Sequence, residues 1–468
     1  MNRSVLVVST CFVLGACASI PDDRGKNVSE SLIVARSPAT NEVPIAPSDV
    51  DAQKLHAQLA ASSLTVESAV QIALLNNPRM RILYAELGFA QADLYDASRL
   101  TNPSLGFLQL SADGNVVKTT WSLSQRFTEL LFLKVNTSVA RSQLLQTQQR
   151  VASEVLKLEA EVRRAYFHYV SAHLVAQTDA RMADTARVSA DYAQQLYDAG
   201  NISQLQLGRE QVDASDALIR HHKAAQQESH ARGELFNMLG LPMSASTLKV
   251  DERLPLPVKT DFEVTSLQAI ALQQRLDIDA TREASKAVQL RLAHVKRWRW
   301  LGKGEVGVER EKNINEKAAL GPAANLEIPL FNQGGGELMR ARAQAEVIAA
   351  QLANMELTTR NNIEVQLKTL SSTQEMVEHY RLSYVPLRQL MIQLTQQQHN
   401  YMLLGTPDLL DAKQKSLDTY QAYIEAVRDY WFAYIELAST VGGRLPDSAN
   451  ASDKFIVVDG SDVVGEQP

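Results

Sequence analysis

The sequence predicts a mainly α-helical protein with a small β part, in which long antiparallel helical hairpins and four short strands are laid out twice over. Three observations predict it. Alanine, leucine, glutamine, glutamate and arginine dominate the middle of the chain, and no proline occurs from Ser104 to Leu241; that composition favours long helices. Apolar residues recur in a four-three alternation, the signature of coiled-coil packing. The whole plan then repeats at a period of about 200 residues, which marks a duplicated domain rather than a solenoid.

The elements follow in order. Met1, Asn2 and Arg3 precede a mostly apolar run from Val5 to Ala16. A basic start and a short apolar middle are those of a secretory signal, and the run is too short to remain as a membrane span. It closes on Leu14, Gly15, Ala16 and Cys17, which resembles the bacterial lipobox, where the cysteine is acylated and becomes the first residue. Residues 1–16 are thus expected to be a lipoprotein signal peptide and Cys17 the lipidation site. The alternative is an ordinary signal with a chance cysteine. Cys11 leaves with the signal, so no internal disulfide can form. Ala18 and Ser19 follow, and by the same resemblance the absence of aspartate there favours sorting to the outer membrane. Residues 17–63, with Pro21, Pro38, Pro44 and Pro47, show no sustained periodicity and read as a tether.

The first repeat, 64–241, opens with "AVQIALLNNPRMRIL" (69–83). Val151, Val155, Leu158, Val162, Ala165, Tyr169, Ala172 and Ala176 form one apolar stripe, and Ala183, Ala186, Ala190, Ala193 and Tyr197 carry it onward with only Asp179 interrupting. A helix from Leu133 to Tyr197 would be roughly 100 Å long, so it needs partner helices. "YDAGNISQLQL" (197–207) breaks it at Gly200, and a return helix is expected from Ser203 to Met238. A connector, 242–261, leads to the second repeat, 262–443. There Ile363, Leu367, Leu370, Val377, Tyr384, Leu387, Met391 and Leu394 form a second stripe, with Pro386 inside it; proline kinks a helix. "LLGTPDLLD" (403–411) is expected to turn at Gly405 into a helix ending near Gly442. Residues 444–468, acidic among small residues, read as a disordered tail.

Each repeat also has a non-helical window. Trp121, Leu123 and Phe127 alternate with polar residues after the Asp113-Gly114 turn signal. Val306 and Val308 alternate with Glu305, Gly307 and Glu309, and Ala324, Leu326, Ile328 and Leu330 alternate with Asn325 and Glu327. Four strands of about ten residues suit a tilted membrane crossing, with lipid on one face and a wet lumen on the other. A soluble half-buried sheet alternates identically. Four strands cannot close a barrel, and open edges are not tolerated in hydrocarbon, so a membrane sheet requires several chains.

The function classes narrow accordingly. Net charge is −6, which gives no footprint for nucleic acid. "GKGEVG" (302–307) mimics a dinucleotide loop but lacks the strand before and the helix after that a phosphate site requires. "GGG" (334–336) reads as a flexible corner. His221, His222 and His230 lie on different helix faces and read as solvated rather than metal-binding. No nucleophile or carboxylate pair stands in a catalytic setting, so no enzyme activity, cofactor or metal is expected. "KRWRW" (296–300) places Trp298 and Trp300 among cations where a helix meets a strand; with Trp121 they are candidate membrane-interface aromatics. Ordinary packing is the alternative.

The lipobox, the duplicated strand-and-hairpin plan, "ALLNNPRMRI" and "IPLFNQGG" resemble the outer-membrane efflux protein family, the TolC-type exit ducts, over residues 64–443. One departure is "SQRFTELLFLK" (124–134), which lacks the Pro-Leu-Phe and glycines of the second repeat. The resemblance implies a homotrimer closing a 12-stranded barrel in the outer membrane, with a helical tunnel reaching into the periplasm. It also implies a periplasmic adaptor (membrane fusion) protein meeting the turns at Gly200 and Gly405, and an inner-membrane pump of RND or ABC type. Asp408 and Asp411 would then ring the narrow end as a gate favouring cations; the bland alternative is helix capping. The function so implied is a passive exit duct for drugs or metal ions. The rivals are a pore-less coiled-coil periplasmic lipoprotein and the exit duct of a type I polypeptide secretion system.

Overall fold

The computed structural model describes residues 26–37, 63–112, 115–243, 250–251, 253–257, 262–313, 316–446 and 455–456. The signal, Cys17, the Asp113-Gly114 turn and most of the tether and tail lie outside the described residues. The chain divides into two compact units. One is built within Met1–Ser31, Leu83–Val151 and Asp279–Leu352, the other within Leu32–Ile82, Ala152–Ile278 and Ala353–Pro468. Each unit therefore draws on both repeats: packing and duplication divide the chain differently.

In chain order the elements are α1 (Lys26–Val34), α2 (Val66–Asn76), α3 (Pro78–Ala97), β1 (Ser104–Ala112), β2 (Asn115–Arg126), α4 (Phe127–Asp198), α5 (Gln204–Leu239), β3 (Leu254–Pro255), α6 (Val264–Gln274), α7 (Leu276–Trp298), β4 (Gly304–Asn313) and β5 (Ala319–Leu326). They continue with α8 (Gly335–His379), a π-helical turn (Tyr380–Tyr384), α9 (Val385–Asn400), α10 (Thr406–Val441) and β6 (Phe455–Ile456). No described helix is long and apolar enough to cross a membrane.

Three terminal or connecting stretches hold more structure than their composition announces. The stretch read as a tether contains α1, nine residues long, with Ser29 and Ile33 buried. The connector supplies β3, which pairs antiparallel with β6 from the tail. Two-residue strands carry no periodicity, so pairing alone makes them visible.

The first unit holds a four-stranded antiparallel sheet in the order β1-β2-β4-β5. β2 is 12 residues long and passes into α4 without a loop. At that corner Thr128 is buried and its hydroxyl accepts from the Gly304 N–H at 3.4 Å; Arg126 pairs with Glu129 at 2.8 Å. β5 starts and ends earlier than the expected alternation, since Ile328 and Leu330 fall beyond it. Glu327 still donates to the Lys303 carbonyl at 2.9 Å, but Pro329 follows and has no N–H to extend the ladder.

The second unit holds the helical hairpins. α4 runs 72 residues without a break. Along its second-unit portion α5 returns antiparallel, with His173 against Glu228 at 2.7 Å and His168 against Glu234 at 3.1 Å. α10 packs there too: Phe167 stacks on Trp431 with centroids 5.0 Å apart, and Arg164 reaches Glu436 at 3.8 Å. Because α4 packs against more than one helix, it buries more than a narrow heptad seam; Phe167, Val170, Leu174 and Val175 join Val155, Leu158 and Val162 inside. α9 runs back along α10, with Tyr380 6.1 Å from Tyr423. The π turn ends two residues before Pro386. Proline offers no N–H to its preceding turn, and the widened turn accommodates the missing bond.

Candidate functional site

The sheet's register decides which side chains share a face. Phe107, Trp121, Arg310 and Leu320 stand in one row, and Leu105, Leu123, Val308 and Pro322 in the next. Residues directly opposite point the same way, so Val306 and Leu326 join this apolar face. The other face carries Ser104, Gly106, Ser122, Ser124, Glu305, Gly307, Glu309 and Gly321, with Leu108 and Leu110 as apolar exceptions on β1.

The apolar face is the more exposed one. Leu105 is 69% exposed, Leu123 51% and Leu320 73%, whereas Ser122, Ser124, Gly307 and Glu309 are half-buried. A water-soluble sheet hides its apolar side under another layer; among the described residues nothing covers this one. Among the described residues β1 and β5 are edges without a further strand beside them.

The expected interface aromatics fall at two levels of this sheet. Trp121 packs on Phe107 with ring centroids 4.6 Å apart and faces Arg310 across the ladder; one step further on, Lys312 faces Thr119, so the apolar face turns cationic toward the strand ends. Trp298 closes α7 against Phe132 at 5.9 Å, and Trp300, exposed, has the Arg299 guanidinium 4.4 Å over its ring before β4 begins. "GKGEVG" runs into β4 rather than into a helix, so it forms no phosphate-binding turn.

At the far ends of the hairpins the two turns differ. Gly200 has φ 76°, and bonds from Gly200 to Tyr197 at 2.8 Å and from Asn201 to Leu196 at 2.8 Å close a Schellman turn. Ser203 then caps α5 with Gln206 as its reciprocal partner. In the second hairpin the expected turn residue, Gly405, is instead extended, with φ −79° and ψ 165°, as the N-cap of α10. The left-handed position belongs to Met402, φ 57°, with bonds from Met402 to His399 and from Leu403 to Gln398, both 2.9 Å. Tyr401, Met402 and Leu403 are all strongly exposed. An apolar trio in a turn is a signal legible in the sequence, masked by the glycine two residues later.

Asp408 accepts a bond from the Gly405 N–H at 2.9 Å, closing the start of α10, and Asp411 pairs with Lys415 at 2.7 Å. Among the described residues no cluster of three or more metal-ligating side chains exists. His222 and His230 are exposed; His221 is half-buried and its Nδ1 has no partner.

The second unit also contains a cleft of about 740 Å³ that sequence reasoning missed. Three of its arginines pair with carboxylates of its own lining. Arg275 pairs with Asp277 at 2.6 Å and also donates to the Thr440 carbonyl at 3.1 Å, Arg253 pairs with Asp251 at 2.8 Å, and Arg163 with Glu159 at 3.0 Å. Trp431 Nε1 donates to the Pro255 carbonyl at 2.7 Å, and the Tyr166 hydroxyl to that of Leu64 at 3.1 Å. The Trp431 bond ties α10 to the connector, and the Tyr166 bond ties α4 to the start of the first repeat.

No protein-family model and no curated protein matches the chain. Solved structures do match. The Campylobacter jejuni CmeC outer membrane channel is similar over 83% of this chain and 90% of its own, with a TM-score of 0.70 and 14% identity. A membrane protein from Pseudomonas aeruginosa matches 81% of this chain and 92% of its own, at TM-score 0.69 and 16% identity. The outer membrane protein VceC from Vibrio cholerae matches 85% and 99%, at TM-score 0.65 and 16% identity. The chain thus has the fold of the TolC-type outer-membrane channels, as its resemblance implied.

Proposed function

We propose that the chain is the outer-membrane channel subunit of an efflux system, a passive duct closed by three copies. The observation that carries this reading is the four-stranded sheet with bare edges and an uncovered apolar face. Such a sheet is complete only when edge meets edge in a closed barrel with lipid outside and the Ser, Gly and Glu face inside. Leu387, Met391 and Leu394 on α9 support self-association, since this lower half of the second stripe is exposed within one chain and a heptad seam requires a partner.

In this reading Cys17 carries the lipid anchor, and residues 17–63 lead from it to the first repeat. The tunnel extends into the periplasm. Gly200 and Gly405 mark the hairpin ends that face a periplasmic adaptor, with Tyr401, Met402 and Leu403 as its apolar contact. An inner-membrane pump of RND or ABC type supplies the energy. Asp408 and Asp411 ring the tip as the gate, and Trp121, Trp298 and Trp300 sit at the membrane surfaces. The cargo is a small molecule, a drug or a metal ion.

The test is direct. Protein extracted in mild detergent should run as a heat-resistant trimer and conduct ions in planar bilayers, and Asp408→Ala with Asp411→Ala should change conductance and cation preference. A water-soluble monomer after removal of the lipid would instead establish the coiled-coil spacer. Unchanged conductance in the double variant would remove the gate assignment alone.

A further inference from the structure

The apolar stripe of α4 is interrupted once, at Asp179, and that side chain is only 4% exposed. Its Oδ1 has no hydrogen-bond partner among the described residues. Arg220 and His221 face it from α5, and Asp418 and Glu425 from α10. Asp418 is faced in turn by Arg220, by Arg388 of α9 and by Asp411 of its own helix. Two more buried atoms at this level lack partners, His221 Nδ1 and Arg388 Nε. The neighbours of Asp179 along α4 are well packed: Leu174 and Met182 are buried, and the Thr178 hydroxyl donates to the Leu174 carbonyl at 2.9 Å. Three unsatisfied polar atoms thus lie where the first hairpin meets the second.

A buried carboxylate with an oxygen left without a hydrogen bond is costly in the packed arrangement and is relieved once water reaches it. We propose that Asp179, with Arg220 and His221, is a proton-sensitive contact between the hairpins: ionised, it biases α4 and α10 apart at this level, and protonated, it lets them close. The proposal rests on the duct reading, in which the hairpins must part for cargo to pass, and adds the group that sets how readily they do so. Burial, opposed by Arg220, raises the Asp179 carboxyl above the ordinary aspartate range, and burial moves Asp418 the same way. An acid whose value is higher packed than open binds its proton more tightly when packed. Packing therefore strengthens as pH falls through the packed-state value and weakens as pH rises through it.

The experiment compares full-length protein with Asp179→Asn and Asp179→Leu between about pH 8 and pH 5, reading conductance in planar bilayers and the thermal midpoint of the assembly. Wild-type conductance should fall about fivefold on acidification while its thermal midpoint rises. Asp179→Asn should hold the low conductance and the high midpoint throughout. An asparagine variant with the wild-type pH response in both measurements overturns the proposal. So does one that fails to assemble, because the carboxylate would then be required for packing rather than opposed to it. Failure of the leucine variant alone leaves the isosteric comparison decisive. Should wild type not conduct at all, the duct reading falls, and the thermal comparison still judges Asp179.

Discussion

Replacing Val308 with arginine tests the membrane reading of the sheet most sharply. Val308 lies midway along β4, opposite Leu123 of β2 and Pro322 of β5, on the apolar face, and is 47% exposed. If that face met water, a charge at so open a position would change stability by about 0.5 kcal/mol or less. If it meets the middle of a bilayer, arginine costs about 2–4 kcal/mol. A threefold assembly bears the cost in each chain, about 6–12 kcal/mol in all. Ser122→Arg is the internal control, because Ser122 points to the opposite face, directly across from Glu309; there the added cation stays in the lumen beside a carboxylate and its effect stays within about 1 kcal/mol. Denaturant unfolding from lipid vesicles, with the inserted fraction measured by flotation, reads both variants. Val308→Arg should insert poorly and unfold early while Ser122→Arg behaves as wild type. Equal stability of the two, or the reverse order, would refute the assignment of lipid to the Val308 face.

Three smaller effects should accompany it. Met402→Gly removes a side chain from a left-handed position and should stabilise the second hairpin by about 1 kcal/mol, seen as a higher unfolding midpoint. Asp408→Ala loses the bond to the Gly405 N–H and should cost about 1 kcal/mol, with faster hydrogen exchange confined to the first turn of α10. Burial raises the Asp277 carboxyl, but the Arg275 hydrogen bond and charge outweigh it and hold it below the ordinary range. Its contribution is therefore present above the unfolded-state value and is lost as pH falls through the folded-state value. Asp277→Asn should lower stability at neutral pH and flatten that acid limb in a pH series of thermal melts.

The signals that served the sequence reading were local ones. Gly200 announces a helix end, and the next helix starts close to Ser203 as expected, because such breaks are settled within a few residues of chain. Pro386 demanded an irregular turn wherever its helix packed, and one stands beside it. Gly405 shows the limit of such signals: a glycine near a turn signals flexibility, yet the left-handed geometry falls to Met402. The narrow seam expected for α4 became a broad buried face because period alone cannot count partners, and here there are several. β3, β6 and the cleft around Arg275 and Trp431 had no signature at all, being made of segments distant in sequence.

The sequence by itself determined that two helical hairpins and four short amphipathic segments recur in one order, because backbone preference and apolar period act over a few turns of chain. Which face each strand residue shares, whether the apolar side is covered, and what surrounds Asp179 were decided only by the tertiary structure. Register, burial and desolvation depend on which remote segments meet, and a period in one segment carries no information about its neighbour.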